Sequence, residues 1–164
     1  MSFKEAYKAM IIYTSYFYQV RFFPPNLIPL STAMWDPKWF HDNKGQDYQF
    51  KDKRGVINGI RADIFAPGAD LSGYCSPSCG MEPKNCDFLL RYRIQLNQLD
   101  FSEVMRRFED LRQQILQREP SFEDVNFALL LHEAPTKLCS ERGPIQAWFA
   151  AHGHPIQEWS KDLI

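Results

Sequence analysis

The stretch Phe127-Ala128-Leu129-Leu130-Leu131-His132-Glu133-Ala134 decides how the chain folds. Its apolar run suits a strand buried on both faces, and the polar residues after it mark the exit from the core. Downstream, Gly143-Pro144 opens a helix, with proline in the first turn, where no intrahelical amide bond is lost. Ile145, Trp148 and Phe149 form its inner face, and Gly153 ends it. Ile156 to Trp159 reads as a short last strand. This strand–helix–strand order predicts a right-handed crossover between parallel strands.

Working back toward the start, Met10 to Thr14 (MIIYT) reads as a buried first strand. Asn26 to Ser31 (NLIPLS) reads as a second, set off by Pro24-Pro25. Pro29 predicts irregular or peripheral pairing there. Both strands are expected to end in turns, at Thr14-Ser15 and Ser31-Thr32. Val56 to Phe65 reads as a strand or as an irregular hairpin turning at Asn58-Gly59. Asp87 to Leu99 has helical spacing, with Phe88, Leu89, Tyr92, Leu96 and Leu99 on one face. Asp100 and Glu103 form a capping-box spacing for a helix running to about Glu119, where Pro120 stops it. Val104, Phe108, Leu111, Ile115 and Leu116 are its apolar stripe. The fold expected is α/β: one domain over residues 1–164, a three-layer sandwich with a mostly parallel central sheet. A cysteine-containing insertion is expected at about 66–87.

A chain of 164 residues with 45% hydrophobic residues can build a real core. Its net charge of −1 gives no global basic field for nucleic acid, although a local basic groove remains compatible with it. No apolar run is long enough to span a membrane, and Lys4, Glu5 and Lys8 break up any signal-peptide pattern. A cytoplasmic protein is expected, with its cysteines as thiols, metal ligands or catalytic groups rather than disulfides.

The candidate site is the segment from Glu133 to Arg142, between the central strand and the following helix. Ligands of open α/β sheets bind beyond the carboxyl ends of strands, and a helix start favours anions and thiolates. The catalytic candidates are Glu133, Cys139, Glu141 and Arg142. Arg142 would hold an anion and a glutamate would move a proton. Cys139 would be a nucleophile, a metal ligand or a small buried hydrophobe. Glu141 and Arg142 also suit a plain loop anchor. Aromatic residues make up 15% of the chain, and Tyr16, Tyr18, Trp35 and Trp39 follow the first two strands. They are candidates for stacking a base, or for packing. Thr14, Ser15, Tyr16, Arg21, Lys38 and Trp39 form the expected substrate-binding set.

Cys75, Cys79 and Cys86 give C-x3-C-x6-C in a turn-rich segment, a metal-ligating pattern or incidental thiols. Zinc is the metal expected, with an iron–sulfur cluster the lesser alternative. Cys139, His41 or His132 would supply a fourth ligand, and Cys139 cannot be both ligand and free nucleophile. His152-Gly153-His154 reads as a helix end. No Walker loop, GxGxxG, HExxH or Gly-x-Ser-x-Gly occurs.

Several strings resemble the bacterial and phage family called domain of unknown function 488. They are Ile12-Tyr13-Thr14-Ser15-Tyr16-Phe17, Pro37-Lys38-Trp39-Phe40, Leu130-Leu131-His132-Glu133-Ala134-Pro135, Cys139-Ser140-Glu141-Arg142 and Gln157-Glu158-Trp159. Many members read Cys-His-Arg where Ser140 and Glu141 here separate Cys139 from Arg142. The resemblance implies an α/β sandwich with a site at the strand ends, and no established activity. Two functional readings follow. One is an enzyme acting on a nucleotide or nucleic-acid base. The other is a non-catalytic, metal-stabilised binding or effector protein of the kind phages encode. A nucleotide is the partner expected, with no membrane partner.

Overall fold

The computed structural model describes residues 10–42, 57–69, 71, 82–137 and 139–163. The strands among them are β1 (Ile12–Tyr16), β2 (Leu27–Ser31), β3 (Phe40–Asp42), β4 (Ile57–Arg61), β5 (Asn126–Leu131) and β6 (Gln157–Glu158). They lie in the order β3-β4-β2-β5-β1-β6, and every pairing is parallel. Helices α1 (Asp87–Asn97), α2 (Phe101–Arg118) and α3 (Arg142–Ala151) complete an α/β domain, as the sequence predicts.

Side chains alternate across β5 and so feed two separate cores. Phe127, Leu129 and Leu131 join Ile12, Ile28 and Leu30 on one face, under the buried residues of all three helices. Ala128 and Leu130 join the opposite face. It is covered by Phe17 and Val20 of a 3-10 helix (Phe17–Phe22), by Ala33 and Phe40, and by Trp159. Among the described residues, the layer opposite the α-helices is therefore built from a 3-10 helix and aromatic loops.

The capping expectation holds: the Asp100 carboxylate accepts from the Glu103 amide at 3.2 Å, and α2 stops at Arg118. Gly153 ends α3 with φ of 76°, in the left-handed region that glycine enters without strain. The early strands differ from the reading. β1 extends to Tyr16, so Thr14 and Ser15 lie inside it, both fully buried, instead of forming a turn. β2 is central, between β4 and β5, although it contains Pro29. The pairing alternates: the Ser31 carbonyl serves Ala62 beyond β4, and the Thr32 amide bonds Leu130 of β5. Counting back, the Pro29 nitrogen faces the β4 side, and β4 pairs with β2 only from Leu30 onward. The missing N–H falls where no ladder bond is required.

β4 runs straight through Asn58-Gly59, so no turn forms there. The glycine serves a close approach instead. A Cβ on Gly59 would sit 2.1 Å from Cζ of the Phe40 ring. That ring is 4% exposed and packs edge-on to Phe17 at 5.5 Å. Gly59→Ala is therefore expected to destabilise the fold by about 1–3 kcal/mol through overpacking. Phe40→Leu in that background should recover part of the loss. Urea denaturation of the two variants beside the parent measures both effects.

Candidate active site at the strand ends

The chain leaves β1 through the 3-10 helix on one face of the sheet, and leaves β5 toward α3 on the other. β1 and β5 are neighbours. Their exits leave on opposite faces, the arrangement that in open α/β sheets places a ligand crevice beyond the strand ends, here Tyr16 and Leu131.

Arg142, the first residue of α3, lies at these strand ends and is 7% exposed. Its Nε donates to Glu158 Oε1 of β6 at 2.6 Å. Its Nη2 donates to the Glu133 carbonyl at 2.8 Å and, more weakly, to the Ser15 carbonyl at 3.4 Å. Its Nη1 is buried and has no hydrogen-bond partner among the described residues. A buried guanidinium N–H left unpaired is costly, and its usual remedy is a ligand or water. The Tyr16 ring lies 5.9 Å from the guanidinium carbon.

The acceptor side is equally organised. Glu158 Oε1 also accepts from the Thr14 hydroxyl at 2.8 Å, and Gln146 Nε2, one turn along α3 from Arg142, donates to Thr14 Oγ1 at 2.7 Å. Ser15 Oγ donates to the Trp159 carbonyl at 2.8 Å. Thr14 and Ser15 thus join the crevice floor to β6. Burial pushes the Glu158 carboxyl above its usual range, against the opposing pull of Arg142 and of the Thr14 hydroxyl.

Glu141 precedes Arg142 at the helix start. Burial raises its carboxyl above the ordinary 4.5, and the nearby Glu133 charge raises it further. A carboxyl with a raised pKa is better suited to proton transfer than an ordinary one. His132 turns away from this loop. Its Nε2 meets the Trp35 carbonyl, and its ring packs on Phe17 at 4.9 Å.

The expected residues separate into groups. Thr14, Ser15, Tyr16, Glu133 (through its carbonyl) and Arg142 meet in the crevice. Arg21 lies outward, stacked over Tyr18 at 4.2 Å. Trp39 packs against Phe17 and Phe40 in the second core, and Lys38 is exposed in the loop before β3. Cys139 is 6% exposed and disulfide-bonded, contrary to the expectation of free thiols, so a nucleophilic role would require reduction first. Cys86 is a free, buried thiol at the head of α1. Cys75, Cys79 and the His41 side chain lie outside the described residues, and no metal-holding cluster occurs among those described. Nor is any described helix long and apolar enough to cross a membrane.

Glu158 and Gln146 were not among the expected residues. Gln146 stands four residues after Arg142, a spacing that signals a shared helix face. Glu158 carries no local signal, because only strand pairing brings it beside Thr14. A separate polar knot joins Arg61, Asp36 and Ser31 at the ends of β2 and β4, with Arg61 Nη1 at 2.7 Å from Asp36 Oδ1. The adjoining cavity of about 270 Å³ is walled largely by Leu30, Ile60, Val104, Phe108 and Leu111, and Arg142 is not among its lining residues. Comparison with family models, curated proteins and solved structures found no match.

Two outcomes test this geometry. Arg142→Ala leaves Glu158 buried without its cation and should cost about 3–5 kcal/mol. Glu158→Gln in the same chain should return part of that loss, as read by chemical denaturation. Glu141 is raised on folding, so its contribution is complete below the unfolded carboxylate range and is lost as pH rises through the folded value. Glu141→Gln mimics the protonated acid. Its Tm relative to the parent should therefore climb from acid toward neutral pH.

Proposed function

We propose that the protein is an enzyme acting on a nucleotide or nucleic-acid base, with the phosphate anchored in the crevice between β1 and β5. The observation that carries this reading is the buried Nη1 of Arg142, without a hydrogen-bond partner among the described residues, at the start of a ten-residue helix. The helix end and the guanidinium both favour an anion, and a planar guanidinium matches phosphate oxygens. Tyr16 supplies an aromatic face beside the anchor. Glu141 supplies the proton-carrying acid, and Glu133 tunes it.

The strings that resemble domain of unknown function 488 support the same location. Four of the five fall on β1, on β5 and its exit, on the start of α3, and on β6, while Pro37-Lys38-Trp39-Phe40 leads into β3 at the far edge of the sheet. Membership of that family is part of the proposal.

Nucleoside monophosphates and inorganic phosphate are the probes, read by thermal shift of the intact chain. At least one monophosphate is expected to raise Tm in a dose-dependent way. Arg142→Lys keeps the charge opposite Glu158 but loses the fork, and should abolish the shift while its own folding transition remains cooperative. Glu141→Gln should retain the shift. No shift with any probe, or an undiminished shift in Arg142→Lys, overturns the reading.

A further inference from the structure

Arg142 is the inner end of a continuous series of cations and rings. Tyr16, 5.9 Å from its guanidinium carbon, stacks with Tyr18 at 6.4 Å and 19° between planes. Arg21 lies over the Tyr18 ring at 4.2 Å. Phe22 meets Tyr18 edge-on at 5.8 Å. Lys161 then places its ammonium 4.2 Å from the centre of the Phe22 ring. Three cations and three rings thus lead from the buried crevice to the surface. The series is braced by Gln19, which is 3% exposed. Its amide donates to the Tyr16 hydroxyl at 3.0 Å and accepts from the Lys161 amide at 3.1 Å.

The outer part of the series is open. Tyr18 is 51% exposed, and Arg21 and Lys161 are exposed. Alternating rings and positive charges are the chemistry that single strands require: bases stack on the rings, and phosphates meet the cations. A free mononucleotide would need only the inner end.

We propose that the substrate is presented as a single-stranded nucleic acid, which runs from Arg142 along Tyr16, Tyr18 and Phe22 to Lys161. This rests on the nucleotide reading of the crevice and extends it. A local track of this kind is compatible with a chain whose net charge is only −1, because charge is needed along one line and not over the whole surface.

The test is fluorescence anisotropy of the full chain with a labelled single-stranded oligonucleotide of mixed sequence, about eight nucleotides long. Its duplex and the unlabelled nucleoside monophosphates serve as competitors. The single strand should bind about tenfold or more tighter than any monophosphate, and should be displaced poorly by duplex. Tyr18→Ala should weaken single-strand binding about tenfold and leave monophosphate binding unchanged. Lys161→Gln should reduce the slope of log affinity against log salt by about 0.7. Both substitutions are on the surface, and an unchanged Tm verifies folding. Monophosphates binding as tightly as the single strand, with Tyr18→Ala and Lys161→Gln silent, would overturn the track and leave the nucleotide reading standing. Equal binding of the duplex would also overturn it, since paired bases offer no free faces. Binding of neither oligonucleotide nor monophosphate would remove both.

Discussion

The buried pair between Arg142 and Glu158 is the constraint on which the functional end of the molecule depends. At 2.6 Å it joins the first residue of α3 to the edge strand β6. The same guanidinium holds the exit of β5 through the Glu133 carbonyl and reaches the end of β1 at Ser15. Four chain segments are therefore positioned by one side chain. Taking two charges out of water is expensive, and hydrogen bonds to every available atom are what make such a pair tolerable. Here Thr14 and Gln146 complete the acid's side, whereas one nitrogen of the base is left without a partner among the described residues. The imbalance lies on the cationic side.

The topology explains why this happens between β1 and β5. Every pairing among the described strands is parallel, so their carboxyl ends lie along one edge. Crossovers on opposite faces separate the two exits and leave room there. The helical face is filled by aliphatic and aromatic residues from three helices. The other face is closed mainly by rings, on a 3-10 helix and a loop. That second layer is thin, and its outer residues Tyr18, Phe22 and Arg21 remain near solvent beside the crevice. The aromatic residues of this face thus seal the second core and place the Tyr16 and Tyr18 rings beside Arg142.

Much of the framework was legible from local patterns. The apolar run at Phe127–Leu131, the capping pair Asp100 and Glu103, and the proline and glycine bounding α3 each act over a few residues, so sequence alone exposes them. The readings that failed depended on partners far away in the chain. Pro29 reads as peripheral until β4 is seen to pair only beyond it. At Val56 to Phe65 the strand alternative holds and the hairpin one does not, with the Phe40 ring found where a Gly59 Cβ would stand. Thr14-Ser15 reads as a turn because polar residues end an apolar run, yet both are buried by bonds to the last strand.

For the candidate site the division is the same. The sequence by itself determined an α/β chain whose polar segment from Glu133 to Arg142 lies between a buried strand and a helix start, because hydrophobic period and capping chemistry are local. Only the tertiary structure decided that Arg142 is buried against Glu158, that Cys139 is bonded, and that Tyr16, Tyr18, Arg21, Phe22 and Lys161 form one series. The Arg142–Glu158 pair depends on strand order, and the two ends of the series depend on contacts of Arg142 with Tyr16 and of Lys161 with Phe22, each more than a hundred positions apart, which no local pattern encodes.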